Sequence, residues 1–209
     1  MELQTTVKEL KVYSLRDLWP IFLSYCLVCR QRIDLGFLVD SSHSRYGSRA
    51  ILQFMKSTIR RFEVSVSKTR IGIVQFSSRV RLILGFGRAY NPVRIGRLID
   101  QIRLNGRGVR YLGRALTYTE RYLFRSRPRC GRRRVLIVLT TGESRDAVKR
   151  PAGRLFSSGV EIYAIGLGTV RRKSLQRIAT VSKQVFRVPT RQLVSLSRIL
   201  QDTICSSTG

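Results

Sequence analysis

Histidine is almost missing from this 209-residue chain, where His43 stands alone. A His-rich metal centre is excluded, and a Ser-His-Asp or Cys-His relay would have one residue to rest on. Acidic residues are scarce too: 12 against 40 basic ones, for a formal net charge of +28. Of the basic residues 33 are Arg and 7 are Lys. The four cysteines, Cys26, Cys29, Cys130 and Cys205, are too few for a disulfide-dense miniprotein. Cys26 and Cys29 read C-x-x-C, but no second pair or histidine pair follows to complete a zinc ribbon. Residues 18–29 form an apolar run of 12 residues broken by Pro20, short of the ~20 needed to span a bilayer.

What is present can fold. Hydrophobic residues make up 43% of the chain and aromatics 9%, which excludes a disordered basic tail. So positive a surface attracts polyanions, whether nucleic acid, sulfated glycan or anionic lipid. Charge alone supplies affinity without specificity. The 18–29 run has the length of a signal-peptide core, with Ser24 and Cys26 as small residues before a cleavage point. Ahead of it, however, Lys8, Lys11 and Arg16 are balanced by Glu2, Glu9 and Asp17. A signal peptide and an unprocessed extension both remain open readings.

From Ile33 onward buried strands alternate with amphipathic helices. Residues 34–40 (DLGFLVD) read as a strand ending on a carboxylate, and residues 48–62 as a helix with Ile51, Met55, Ile59 and Phe62 on one face. Residues 71–76 and 80–84, joined by Ser77-Ser78, suit an antiparallel hairpin. Asn91-Pro92 is a cap followed by proline at the first helical position, opening a helix over 93–104. A third helix is expected over 113–124, with Leu116 and Leu123 inward. Residues 135–140 (VLIVLT) have the continuous apolar character of a strand buried on both faces. A helix follows over 146–158, stopped by Gly159. Then come a strand over 160–167, a helix around 173–180 and a short strand near 185–188. The closing helix over 191–204 aligns Leu193, Leu196, Leu200 and Ile204. This order predicts an open, mostly parallel α/β sheet with helices on both faces. Residues 29–205 form one domain, with an N-terminal extension over 1–28 and a tail over 206–209.

In such sheets function gathers at the carboxyl ends of the strands. The first strand runs into Asp40-Ser41-Ser42-His43-Ser44, a D-x-S-x-S turn whose oxygens suit a hard cation. Taken with DLGFLVDSSHS, the segments RIGIVQFSS, YLGRAL, VLIVLTTGES, YAIGLG and a terminal DTIC follow in order at fitting distances. Together they resemble the von Willebrand factor type A domain from Cys29 to Cys205, and most of all its matrix branch of non-fibrillar collagens, matrilins and cochlin-like proteins. The resemblance implies a doubly wound sheet with one antiparallel edge strand. It also implies a metal-ion-dependent adhesion site, where the turn, a threonine and an aspartate hold a divalent cation that takes an acidic residue of the partner.

The chain departs from that pattern. Asp40, Ser42 and Ser44 match the first loop, but Arg110 stands at the threonine position and Thr141 at the aspartate position. Losing a carboxylate and gaining a guanidinium both disfavour Mg²⁺ or Ca²⁺. Three arrangements remain open: Arg110 reaches Asp40 in place of the metal, Arg110 points to solvent, or some metal binding survives. Glu143 or Asp146 is a conceivable replacement ligand, although Asp146 is expected at the N-terminus of the 146–158 helix. The resemblance further implies a disulfide between Cys29 and Cys205, with two buried thiols as the alternative. Cys26 and Cys130 have no assignment.

Arg125, Arg127, Arg129, Arg132, Arg133 and Arg134 crowd one stretch, expected as a surface loop at the edge opposite the metal-site turn. Arginine forks suit sulfate and phosphate oxygens, so a heparin-like glycan is one reading and a solvated charge run the other. Gly166 and Gly168 lack the rest of a dinucleotide fingerprint and are expected as turn residues. No base–nucleophile pair or complete cofactor motif supports an enzyme. The expected function is an extracellular, secreted, non-enzymatic module for adhesion to a matrix protein such as collagen. The competing reading is a polyanion-binding module.

Overall fold

The computed structural model describes residue 29 and residues 31–42, 45–104, 108–125 and 131–206. Its sheet has six strands: β1 (Ile33–Asp40), β2 (Arg70–Phe76), β3 (Val80–Leu84), β4 (Arg133–Thr140), β5 (Val160–Leu167) and β6 (Val185–Val188). They lie in the order β3-β2-β1-β4-β5-β6. Every pairing is parallel except β2 with β3, which is the expected hairpin at one edge. Six α-helices occur among the described residues: α1 (Arg45–Ile59), α2 (Pro92–Asp100), α3 (Leu112–Tyr118), α4 (Lys149–Ser157), α5 (Arg172–Gln176) and α6 (Leu196–Ser206).

Side chains alternate across a strand, and that alternation builds two cores. Leu35, Phe37, Val39, Ile137 and Ile165 face α1, α2 and α6, including Ile51, Ile95 and Leu200. Leu38, Val138 and Ala164 face α3, α4 and α5, including Leu116, Leu155 and Leu175. The stripe Leu193, Leu196, Leu200 and Ile204 is buried as expected, although its first turns are not α-helix: Thr190–Gln192 is a 3-10 turn.

Helix ends differ from the sequence-based expectations for tertiary reasons. Asn91 Oδ1 accepts from the amides of Val93 and Arg94, but α2 stops at Asp100. Beyond it Ile102 and Leu104 stay buried in a non-helical path, because side chains from elsewhere take the backbone carbonyls. Gln75 Nε2 donates to Arg103 O and Ser48 Oγ to Leu104 O. The third helix turns from α into a π-turn over Thr119–Leu123. Gly159 has φ +80°, the left-handed stop expected after α4.

Gly36 and Gly72 are in register on β1 and β2, where Leu123 and Phe124 press onto the sheet. A Cβ at Gly72 would meet Leu123 Cδ1 at 2.5 Å and Phe86 Cε1 at 2.9 Å. Strand glycines usually weaken a sheet, but here one admits close packing. Gly72→Ala is expected to destabilise by about 1–3 kcal/mol through overpacking. A urea titration with unchanged midpoint would show that Leu123 simply steps aside.

The end of the sheet opposite the strand carboxyl termini is closed covalently. Cys29 and Cys205 form a disulfide across 176 positions, with Cα atoms 6.0 Å apart. Gln31 Nε2 donates to Cys205 O at 2.7 Å, and Arg133 donates to Ile204 O and Gln31 Oε1. Cys26 and Cys130 lie outside the described residues.

Candidate functional site

β1 and β4 are neighbours whose chains leave the sheet in opposite directions, so a crevice opens at their carboxyl ends. Asp40 ends β1 there and is fully buried. Its Oδ1 accepts from Ser42 N at 2.8 Å and from Ser42 Oγ. Its Oδ2 accepts from Thr141 N at 2.9 Å, Thr141 Oγ1 at 2.8 Å and Arg110 Nε at 3.0 Å. The predicted residues Asp40, Ser42, Arg110 and Thr141 thus meet at one carboxylate. Ser44 and His43 lie outside the described residues.

The guanidinium of Arg110 spans the crevice. It donates to Thr141 Oγ1 through Nε and Nη2 at 3.3 and 3.2 Å, and to Ser42 O at 3.4 Å. The Arg110 side chain is 27% exposed, whereas that of Asp40 is 0% exposed. Gly142 makes room for it, since a Cβ there would sit 2.8 Å from Arg110 Cζ and 2.9 Å from Nη1. Gly142 carries no mark of this role in the local sequence, because the role depends on a side chain from another loop.

Glu143 and Asp146 do not turn toward Asp40. Glu143 accepts from Ser174 Oγ, and from Arg171 through its amide and its Nε at 3.1 and 3.2 Å. The Ser174 hydroxyl above all, with help from Arg171, holds the Glu143 carboxyl below the usual range against the opposing effect of burial. Asp146 accepts from Gly113 N at 2.8 Å and Arg114 N at 2.7 Å, so it caps α3 rather than the helix that follows it. That helix, α4, accordingly begins only at Lys149. Gly113 permits the contact: a Cβ there would lie 2.2 Å from Ala147 O. Ser144 Oγ donates to Asp146 Oδ1 at 2.6 Å and accepts from Leu112 N at 3.0 Å. Arg145 N donates to Arg110 O at 2.9 Å, which locks the Arg110 loop to the loop after β4.

Arg132, Arg133 and Arg134, the end of the arginine run, are held by the fold and are not solvated forks. Arg133 and Arg134 belong to β4. Arg132 donates to Lys68 O, Val66 O and Ser67 O. Arg133 grips Glu161 through Nε and Nη2 at 3.0 and 2.9 Å. Arg134 is 5% exposed and donates to Ser158 O and Phe124 O while lying over the Phe124 ring. Burial lowers its pKa. The physical reason is that this end of the sheet exposes carbonyls with no strand partner, and guanidinium groups satisfy them. Arg125 is exposed; Arg127 and Arg129 lie outside the described residues. Gly168 is a turn residue with φ +70°, but Gly166 is inside β5, where a Cβ would meet Leu175 Cδ1 at 2.7 Å.

A mixed six-stranded sheet covered by helices on both faces, with a D-x-S turn at its switch point, defines a class of doubly wound α/β domains. The fold matches proximal thread matrix protein 1 (PTMP1) from the mussel byssus with a TM-score of 0.79 at 22% identity, covering 85% of this chain and 49% of that one. A structure of that protein with a zinc-occupied MIDAS motif matches equally.

The von Willebrand factor type A domain profile matches residues 34–201, and the chain belongs to that family. It is 32% identical over 179 residues to the human collagen alpha-5(VI) chain, covering 84% of this chain and 7% of that protein. It is 36% identical over 157 residues to mouse vitrin, covering 73% of this chain and 23% of that protein. These relatives are non-enzymatic extracellular-matrix proteins. The chain spans less than a quarter of either.

Proposed function

We propose that the chain is an extracellular adhesion module that binds a matrix protein such as a collagen without a divalent cation. The observation that carries this reading is the Arg110 guanidinium 3.0 Å from Asp40. A hard dication prefers several oxygens of net negative charge. Here the carboxylate and guanidinium are formally neutral together, and both Asp40 oxygens already accept hydrogen bonds. Among the described residues the donor set does not fit Mg²⁺ or Ca²⁺, which supports the cation-independent reading. Matrix relatives support an extracellular setting, as does the disulfide. No helix among the described residues is long and apolar enough to cross a membrane.

Binding to immobilised collagen, measured by surface plasmon resonance, is expected to be equal in Mg²⁺, in Ca²⁺ and in chelator. Arg145→Glu, on the exposed part of the loop beside Arg110, is expected to weaken it by about tenfold, or ~1.4 kcal/mol. Binding that vanishes in chelator would overturn the cation-independent reading. Binding to no matrix protein in any buffer would overturn the adhesion reading itself.

A further inference from the structure

Arg132, Arg133 and Arg134 are committed to the fold at the base of the sheet, and other arginines carry exposed positive charge. Six of the described acidic residues are in ion pairs, with Arg70, Arg110, Lys56, Arg154, Arg171 and Arg133. A cleft of about 580 Å³ lies between the β2–β3 hairpin and the chain leaving α2. Arg79 and Arg81 line one wall and Arg103 the other. All three are exposed, and none is ion-paired with a described residue. Among the described residues no acidic side chain lines the cleft. Ser77, Ser78 and Gln101 add hydroxyl and amide groups, and Leu82, Leu98 and Ile102 add an apolar floor.

We infer that this cleft binds the sulfate groups of a linear sulfated glycan. Guanidinium forks on opposite walls match sulfate oxygens. The hydroxyl and amide groups suit sugar hydroxyls, and the apolar floor suits the C–H faces of pyranose rings. Among the described residues the lining contains no aromatic side chain. A single-stranded nucleic acid would lack the stacking platforms that such ligands use, so the chemistry favours the glycan. Ser41, next to Asp40, also lines the cleft, so it adjoins the Arg110 crevice without sharing its charged residues. This inference stands apart from the protein-binding reading, and either can fail alone.

The test titrates the full chain with a size-defined heparin octasaccharide by calorimetry across a salt series. Arg79→Ser/Arg81→Ser/Arg103→Ser is expected to lower affinity at least tenfold and to reduce the salt slope by about three, since each lost contact releases roughly one counterion fewer. Arg150→Ser/Arg172→Ser/Arg198→Ser removes the same charge from exposed positions elsewhere and is expected to change affinity less than threefold. Equal losses in the two triple variants would overturn the site in favour of diffuse attraction. An unchanged cleft variant would do the same, leaving Arg81 as edge-strand protection against pairing with other chains. Desulfated heparin binding as tightly as heparin, or a single-stranded oligonucleotide of equal charge binding more tightly through the same three arginines, would overturn the assignment to sulfated glycan. Thermal unfolding of both variants close to that of the parent is expected, because all six positions are exposed.

Discussion

Cys29→Ser/Cys205→Ser is expected to lower the unfolding free energy by about 4–5 kcal/mol, a large part of what a domain of this size has. The bridge joins positions 176 residues apart, so it shortens the unfolded chain's reach across nearly the whole domain. In the chain-entropy account, stabilisation grows with the logarithm of loop length. The folded state is prepared for it on both sides. Cys29 N donates to Arg61 O and Glu63 N to Cys29 O, at 2.8 and 2.9 Å. Gln31 and Arg133 hold the carbonyls of Cys205 and Ile204. Those bonds hold the end of α6 in place without the sulfur link, so the double variant is expected to fold and unfold cooperatively at a lower urea midpoint. Coincident midpoints for parent and variant, or for oxidised and reduced parent, would show that packing of Leu200 and Ile204 alone secures the terminal helix.

The elements legible in the sequence are those whose signal is local. The β5 bounds follow from a continuous apolar run, and the β2–β3 hairpin from two strands joined by Ser77-Ser78. Asn91-Pro92 marks the start of α2 because cap and amides lie within three residues. What stayed hidden depends on partners far along the chain. Asp146 looks like the first turn of its own helix, but its carboxylate serves amides 33 and 32 residues upstream. Arg132–Arg134 look like a solvated run because the carbonyls they satisfy belong to segments near residues 66–68, 124, 158 and 204. Gly113 and Gly142 carry no local mark, since each is required by atoms of another loop. The crevice was legible only through its resemblance to a family motif, which placed Arg110 and Thr141 at ligand positions. Nothing in spacing alone brings Arg110 to a carboxylate 70 residues away.

Arg110→Thr combined with Thr141→Asp is expected to create divalent-cation affinity that neither single variant has. Thr141 Oγ1 lies 2.8 Å from Asp40 Oδ2, so an aspartate at 141 would bring a second carboxylate against the first. In the Thr141→Asp variant, Arg110 remains within reach of both and answers the added charge, leaving no deficit for a metal to fill. In Arg110→Thr the guanidinium is gone, but one carboxylate supplies too little charge for a hard cation. In the double variant two carboxylates face each other without a counter-charge. Their repulsion favours a proton or a dication between them. Calorimetry with Mg²⁺ and Mn²⁺ is expected to give stoichiometric binding at micromolar to low millimolar concentration for the double variant alone, abolished by adding Asp40→Ala. Thermal unfolding supplies a second readout, because metal at ten times its Kd adds about 1.4 kcal/mol to the folded state. A parent protein that binds either metal in the same range, and loses it on Asp40→Ala, would show that the guanidinium yields its place to the ion and that Arg110 does not set the cation dependence of this module.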